Sequence, residues 1–239
     1  MNQLPVHESL QLALEQASRL EKKYDWEGAT RSYNEAIASL HDLTLLGWLH
    51  EKRAYALYKT AMQRDSSLSF EDTMSQAVSN YRKCLAIYRD TRNGSAEALS
   101  LRCHAMINYA RFWIVSKESR MLPIREAWKY TKKALELLEE SENGAEYVAT
   151  FNQLSLVSDL ALAYGWKLQV RQEGLREAAN HGRQAVKFAS TRNDPGEVAQ
   201  TLARTAILLW RLGNSDEKGS AEYEESCLEA KNLWQKALK

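Results

Sequence analysis

One local pattern constrains this chain more than any other. In YDWEGATRSYNEAIASL, residues 24–40, Ala29, Tyr33 and Ala36 stand at i, i+4 and i+7 and so share one helix face. Two small residues around one ring let a second helix approach closely while the ring fills the gap. The same small–large–small face returns as Ala77, Tyr81 and Cys84, then as Ala127, Thr131 and Ala134. It returns twice more, as Ala178, Gly182 and Ala185 and as Ala230, Trp234 and Ala237. The leading alanines are 48, 50, 51 and 52 residues apart. A second series lies upstream in the pairs Tyr109–Ala110, Leu160–Ala161 and Leu212–Gly213, whose small members are 51 and 52 residues apart. Thr60 or Ala61 takes that place in the second unit. Two series in one register predict a repeated helical hairpin.

The punctuation agrees. Asn93, Asn143 and Asn193 fall fifty residues apart, each between one hairpin and the next. Asn tolerates the left-handed conformation that ends a helix, and the following Glu97, Glu146 and Glu197 favour a new N-terminus. Pro5, Pro123 and Pro195 stand at expected helix starts. The ten helices read 6–23, 26–40, 43–64, 70–90, 95–119, 123–140, 144–171, 174–190, 195–213 and 219–238. They pair as hairpins 6–40, 43–90, 95–140, 144–190 and 195–238 of a single domain, 1–239.

Composition narrows the function classes. Only 10 Gly and 3 Pro in 239 residues favour helices over strands and turns. A net charge of +1 argues against nucleic acid or a membrane surface as an overall electrostatic target. No apolar run approaches a membrane span, and MNQLPVHESLQLALEQ lacks the basic start of a secretory signal. Cys84, Cys103 and Cys227 have no metal-ligand spacing and read as core thiols of a cytoplasmic protein. The histidines His7, His41, His50 and His104 form no zinc-binding pair, so neither metal nor cofactor is expected.

The segment 24–40 resembles the second half of a tetratricopeptide repeat, in which a Gly-Asp-Tyr-like turn precedes an A-x-x-x-Y-x-x-A helix. Tyr24, Asp25 and Trp26 form that turn here. The other units carry the same face on longer helices, so the period is near 50 rather than the family's 34. Thr131 and Gly182 depart from the family at the aromatic position. The resemblance implies an all-α, right-handed solenoid of five hairpins that binds peptides on the concave face lined by first helices. Some relatives clamp a C-terminal carboxylate with Lys and Asn. ESLQLALEQASRL supplies neither, which argues against that role.

The first helices of repeats two and three are modestly basic, with Lys52, Arg53, Lys59 and Arg64 in one and Arg102, His104 and Arg111 in the other. An acidic or mixed-charge peptide is the expected partner. The residues expected to contact it are Lys52, Tyr55, Arg102, His104, Asn108 and Arg111, with Asn152, Ser155 and Arg204 from the later repeats. In the last helix, Leu228, Leu233, Trp234, Ala237 and Leu238 present an apolar face that a chain continuation, a second copy or a partner helix could cover.

Two enzymatic patterns compete with this reading. Arg176 and His181 have the R-x-x-x-x-H spacing of a family of helical RNases, but Ala178 between them belongs to the packing face. GNSDEKGS, residues 213–220, has the ingredients of a phosphate loop in the wrong order and reads as a turn. The seven tryptophans read as core, as with Trp113, Trp128 and Trp234. The chain is thus expected to be a non-catalytic interaction scaffold, or else a regulatory segment of a larger machine.

Overall fold

The computed structural model describes residues 6–40, 42–64, 67–90, 96–140, 143–163, 168–192, 194–215 and 220–238. Every regular element among them is helical. The helices are α1 (Val6–Lys22), α2 (Trp26–Ala38), α3 (Leu43–Met62), α4 (Ser67–Asp90) and α5 (Ala96–Ile114), then a short 3-10 turn at Lys117–Ser119. After it come α6 (Met121–Glu140), α7 (Gly144–Ala163), α8 (Leu168–Ser190), α9 (Pro195–Gly213) and α10 (Ala221–Ala237). None of the described helices is long and apolar enough to cross a membrane.

Side chains start several of these helices. Asp25, Asp42, Asp194 and Ser220 each accept a hydrogen bond from the backbone N–H three residues on. Such caps contribute about 1 kcal/mol apiece. Asn143 behaves in the same way, and this corrects its expected role. Its backbone N–H donates to Leu138 at 3.2 Å, closing α6, while its Oδ1 accepts from the Glu146 N–H at 3.3 Å, opening α7. It does so without the left-handed conformation, which among described non-glycine residues occurs at Tyr24 alone. Asn93, Asn193 and Pro5 lie outside the described residues, as do Tyr164 and residues 216–219. Three boundaries differ from expectation by five residues or more: α5 stops at Ile114, α7 stops at Ala163, and α8 begins at Leu168.

Two compact units make up the chain, Met1–Pro123 and Ile124–Lys239. In the first, α1 to α5 pack each against the next. In the second, α7 to α10 pack in the same successive way, and α7 also meets α9. Within that unit α6 is tied to α7 by Gln153 donating to Thr131 and to α8 by Lys132 pairing with Glu177. The repeated face is the core. Ala29, Tyr33, Ala36, Ala77, Tyr81, Cys84, Ala127, Thr131, Ala134, Ala178 and Ala185 are all buried. Fully burying a ring such as Tyr81 stabilises the fold by roughly 1.5–3 kcal/mol.

Gly182 shows how the face survives without its ring. A Cβ there would lie 2.8 Å from Thr205 and 3.1 Å from Phe151, so α9 and the Phe151 ring of α7 occupy the space. In α10 the pattern loosens: Ala230 is buried, but Trp234 and Ala237 are only half-buried.

Candidate interaction surfaces

Alternate helices meet in a fixed register, α3 with α5 and α7 with α9. In the first unit, Arg102 of α5 pairs with Glu51 of α3, and the Tyr58 and Tyr109 hydroxyls stand 3.1 Å apart, each pair 51 positions apart in sequence. In the second unit, Arg204 of α9 donates to the Asn152 carbonyl of α7, and Arg211 pairs with Asp159, each 52 positions apart. On each helix the two positions are seven residues, or two turns, apart. The 52-residue step of the second unit matches the spacing of Ala161 and Gly213 on the same two helices.

The half-buried stripe of α3 is the most chemically distinctive face of the first unit. Leu45, Trp48, Lys52, Tyr55 and Lys59 follow one another at helical spacing, all half-buried. The Lys52 ammonium lies 5.7 Å from the Trp48 ring centre. The Lys59 ammonium lies 5.7 Å from Trp26 and 5.6 Å from Tyr55. Those two rings meet edge-on at 5.8 Å, because α2 and α3 pack and bring the first residue of α2 against the middle of α3. Each contact of this kind contributes about 0.5–1 kcal/mol at an exposed site. A carboxylate can reach the ammonium groups here, and an apolar side chain can rest on the rings.

Not all the expected contact residues serve this purpose. Lys52 and Tyr55 lie on the stripe. Arg102 does not: it is 5% exposed, and its Nε and Nη2 donate to the two Glu51 carboxylate oxygens at 2.6 and 2.7 Å. Tyr88 donates to the same carboxylate. Arg102 is therefore corrected from a groove cation to an interior one, because its charge is already neutralised by α3. His104 is half-buried and accepts from Arg89 at 2.7 Å, which requires a neutral ring. Burial first, and the Arg89 charge second, hold its pKa below the ordinary value. Asn108 donates to the His104 carbonyl, and Arg111 is exposed.

In the second unit Ser155 is buried, which removes it from any open surface. Asn152 and Arg204 are half-buried, and the structure brings them together through the 2.6 Å bond to the Asn152 carbonyl. The Asn152 Oδ1 is enclosed with no hydrogen-bond partner among the described residues. Below them, burial raises the pKa of Asp159 in spite of Arg211 and Arg204. Leu228 of α10 and Leu238 just after it are 60% and 88% exposed, whereas Leu233, Trp234 and Ala237 are half-buried.

Trp26, Trp48 and Lys59 stand outside the expected contact set, and the sequence places the tryptophans in the core. The available signal was the i, i+4 spacing of Trp48–Lys52 and Tyr55–Lys59. Trp113, Trp128 and Trp234 are likewise half-buried rather than fully enclosed. A second feature had no sequence signal. Glu51, Cys84 and Cys103 come together so that their possible ligand atoms all lie within 4.8 Å of one another. The R-x-x-x-x-H pair is differently disposed. Arg176 is exposed, while the His181 Nδ1 stands 2.7 Å from the Tyr147 hydroxyl and its ring packs beside that tyrosine.

No protein-family model matches this chain, and no curated protein matches it. Among solved structures it is similar to the crystal structure of BtubC (BKLC) from P. vanneervenii. The identity is 15%, over 95% of this chain and 86% of that one, with a TM-score of 0.53. That likeness concerns the fold alone. The DHF58 filament and a chain from the computational design of self-assembling cyclic homooligomers also match, at 16% and 12% identity. Each covers 98% of this chain and 94% of its own, at TM-scores of 0.36 and 0.35, too low to bear on the fold.

Proposed function

We propose that this chain is a non-catalytic protein-interaction scaffold, a right-handed α-solenoid of five tetratricopeptide-like hairpins that holds an acidic, partly apolar peptide against α3. The observation that carries the reading is the stripe of Trp48, Lys52, Tyr55 and Lys59, joined by Trp26, where two ammonium groups lie over three half-buried rings. Rings give contact area at low conformational cost, and the lysines select carboxylates. The first-helix register supports the solenoid part, since a ladder repeated every 51 or 52 residues is what stacked hairpins produce. The packing of His181 against Tyr147 and the exposure of Arg176 favour this over a ribonuclease.

The test uses the whole chain as bait in extract of its native cell, with the bound segment mapped by cross-linking. Lys52→Glu with Lys59→Glu is expected to weaken the mapped segment roughly tenfold, about 1.4 kcal/mol, and added salt to weaken the wild-type complex. A partner that binds the double variant as well as the wild type, or maps to a different helix face, overturns the assignment. Cleavage of single-stranded RNA that disappears in His181→Ala would overturn the non-catalytic reading itself.

A further inference from the structure

Cys84 of α4 and Cys103 of α5 face each other inside the first unit, both fully buried, with their sulfurs 2.9 Å apart. Carbon atoms in van der Waals contact stand about 3.5–4.0 Å apart, and sulfur is a larger atom. A disulfide closes at about 2.05 Å, so these sulfurs need to approach by only about 0.9 Å. The two helices that carry them pack directly, and Cys84 occupies the small-residue position of the repeated face where such approach is built in.

We propose that Cys84 and Cys103 are a redox-closable pair, converted by hydrogen peroxide into a disulfide that ties α4 to α5. One thiolate attacks a peroxide oxygen, breaking the O–O bond and expelling hydroxide, and becomes a sulfenic acid. The second sulfur then displaces that hydroxyl as water, forming the S–S bond. Two thiols give up two protons and two electrons, and one peroxide becomes two waters. Burial, reinforced by the Cys84 sulfur, holds the Cys103 thiol pKa well above its usual range. The closed core therefore protects Cys103, and the reaction runs through transient opening of the α4–α5 contact.

A metal is the competing occupant, since Glu51 lies close by. Two points count against it. Both Glu51 oxygens already accept from the Arg102 guanidinium, whose charge repels a cation. Tetrahedral zinc with bonds of about 2.3 Å also holds its sulfurs roughly 3.8 Å apart, so this pair would have to open rather than close.

The experiment uses the full chain, reduced and then treated with a stoichiometric excess of hydrogen peroxide, alkylated while unfolded and digested with trypsin. Cys84 follows Lys83 and Cys103 follows Arg102, so cleavage isolates the peptides Cys84–Arg89 and Cys103–Arg111. The expected product is those two peptides joined, in a protein two hydrogens lighter, with Tm raised by roughly 5–10 °C until a dithiol reductant is added. Cys103→Ser, checked for helicity, should lose both the cross-link and the gain in Tm. The wild-type mass measurement stands even where that variant fails to fold. Two alkylated cysteines, a link to Cys227, or sulfinic acid without the joined peptides would overturn the proposal. So would zinc that is retained stoichiometrically by the reduced chain and blocks the cross-link.

Discussion

Tyr24 holds φ 59° with its side chain 73% exposed, in the turn that leads to the Asp25 cap of α2. The left-handed conformation costs a residue with a Cβ roughly 1–2 kcal/mol, and glycine escapes that cost while gaining disorder when unfolded. Tyr24→Gly is therefore expected to stabilise the chain by about 0.5–1 kcal/mol in urea denaturation. The hydrogen bond from Gln63 to the residue 24 carbonyl is kept, because it uses backbone. A lower midpoint would show that the ring contributes something its exposure hides. Arg102 has the opposite sensitivity. Removing it leaves the Glu51 carboxylate enclosed without its main partner, so Arg102→Met is expected to cost about 3–5 kcal/mol. The double variant Glu51→Gln with Arg102→Met should recover most of that loss in a double-mutant cycle. If the two single costs simply add, the pair is not coupled as the geometry requires. Charge reversal at Arg102 would for the same reason disturb the fold before it reported on any partner.

At the scale of the element, the repeated face was legible because a helix turns 3.6 residues at a time, so spacing alone decides which residues share a side. Ala178 is the sharpest test of that register. It is fully buried one turn before Gly182, where α9 already leaves no room for a Cβ. Ala178→Trp is expected to destabilise by about 3 kcal/mol through overpacking. A melting curve identical to wild type would show that α8 is rotated from this placement. Helix ends were less legible. Between Ile114 and Met121 no Gly, Pro or Asn marks the break, yet α5 stops and Ser116 turns to an extended conformation before the short 3-10 turn. Between Ala163 and Leu168 the one local break signal is Gly165, set within an otherwise continuous helical pattern. The candidate surface was legible only in part: basic residues on α3 were visible, but whether each faced solvent, a ring or a carboxylate was not.

Across the whole molecule, the histidines set the response to pH. His50, His104 and His181 all have pKa values lowered from the ordinary 6.5, with burial the largest cause in each case. Around His50, the Lys83 and Arg53 charges push the same way, against the hydrogen bond that the ring Nδ1 donates to the Asn80 Oδ1. Around His181, burial and Lys132 outweigh Glu139, Glu136 and Glu177. A depressed pKa in the fold means that the unfolded chain takes up the proton more readily. Their contribution to stability is thus complete above about 6.5 and is lost as pH falls from there through the lower folded values. Asp159 works the other way, since its raised pKa means that protonation at low pH relieves a burial cost. The net expectation is a melting temperature level from pH 8 to 7 and falling between 6.5 and 5. A profile that stays level to pH 5 would mean that these rings are solvated.

The sequence by itself determined what periodicity determines: an all-helical chain, a repeat of about fifty residues, and the identity of the buried small–large–small faces. Those follow from local geometry, because burial of one helix stripe needs only a neighbour, whatever that neighbour is. The tertiary structure alone decided which polar and sulfur atoms meet. Glu51 finds Arg102, Tyr58 finds Tyr109, and Cys84 finds Cys103, across gaps of 51, 51 and 19 positions. A charge in the sequence looks the same whether water or another helix will neutralise it. Only packing removes the water, and with it the choice of partner.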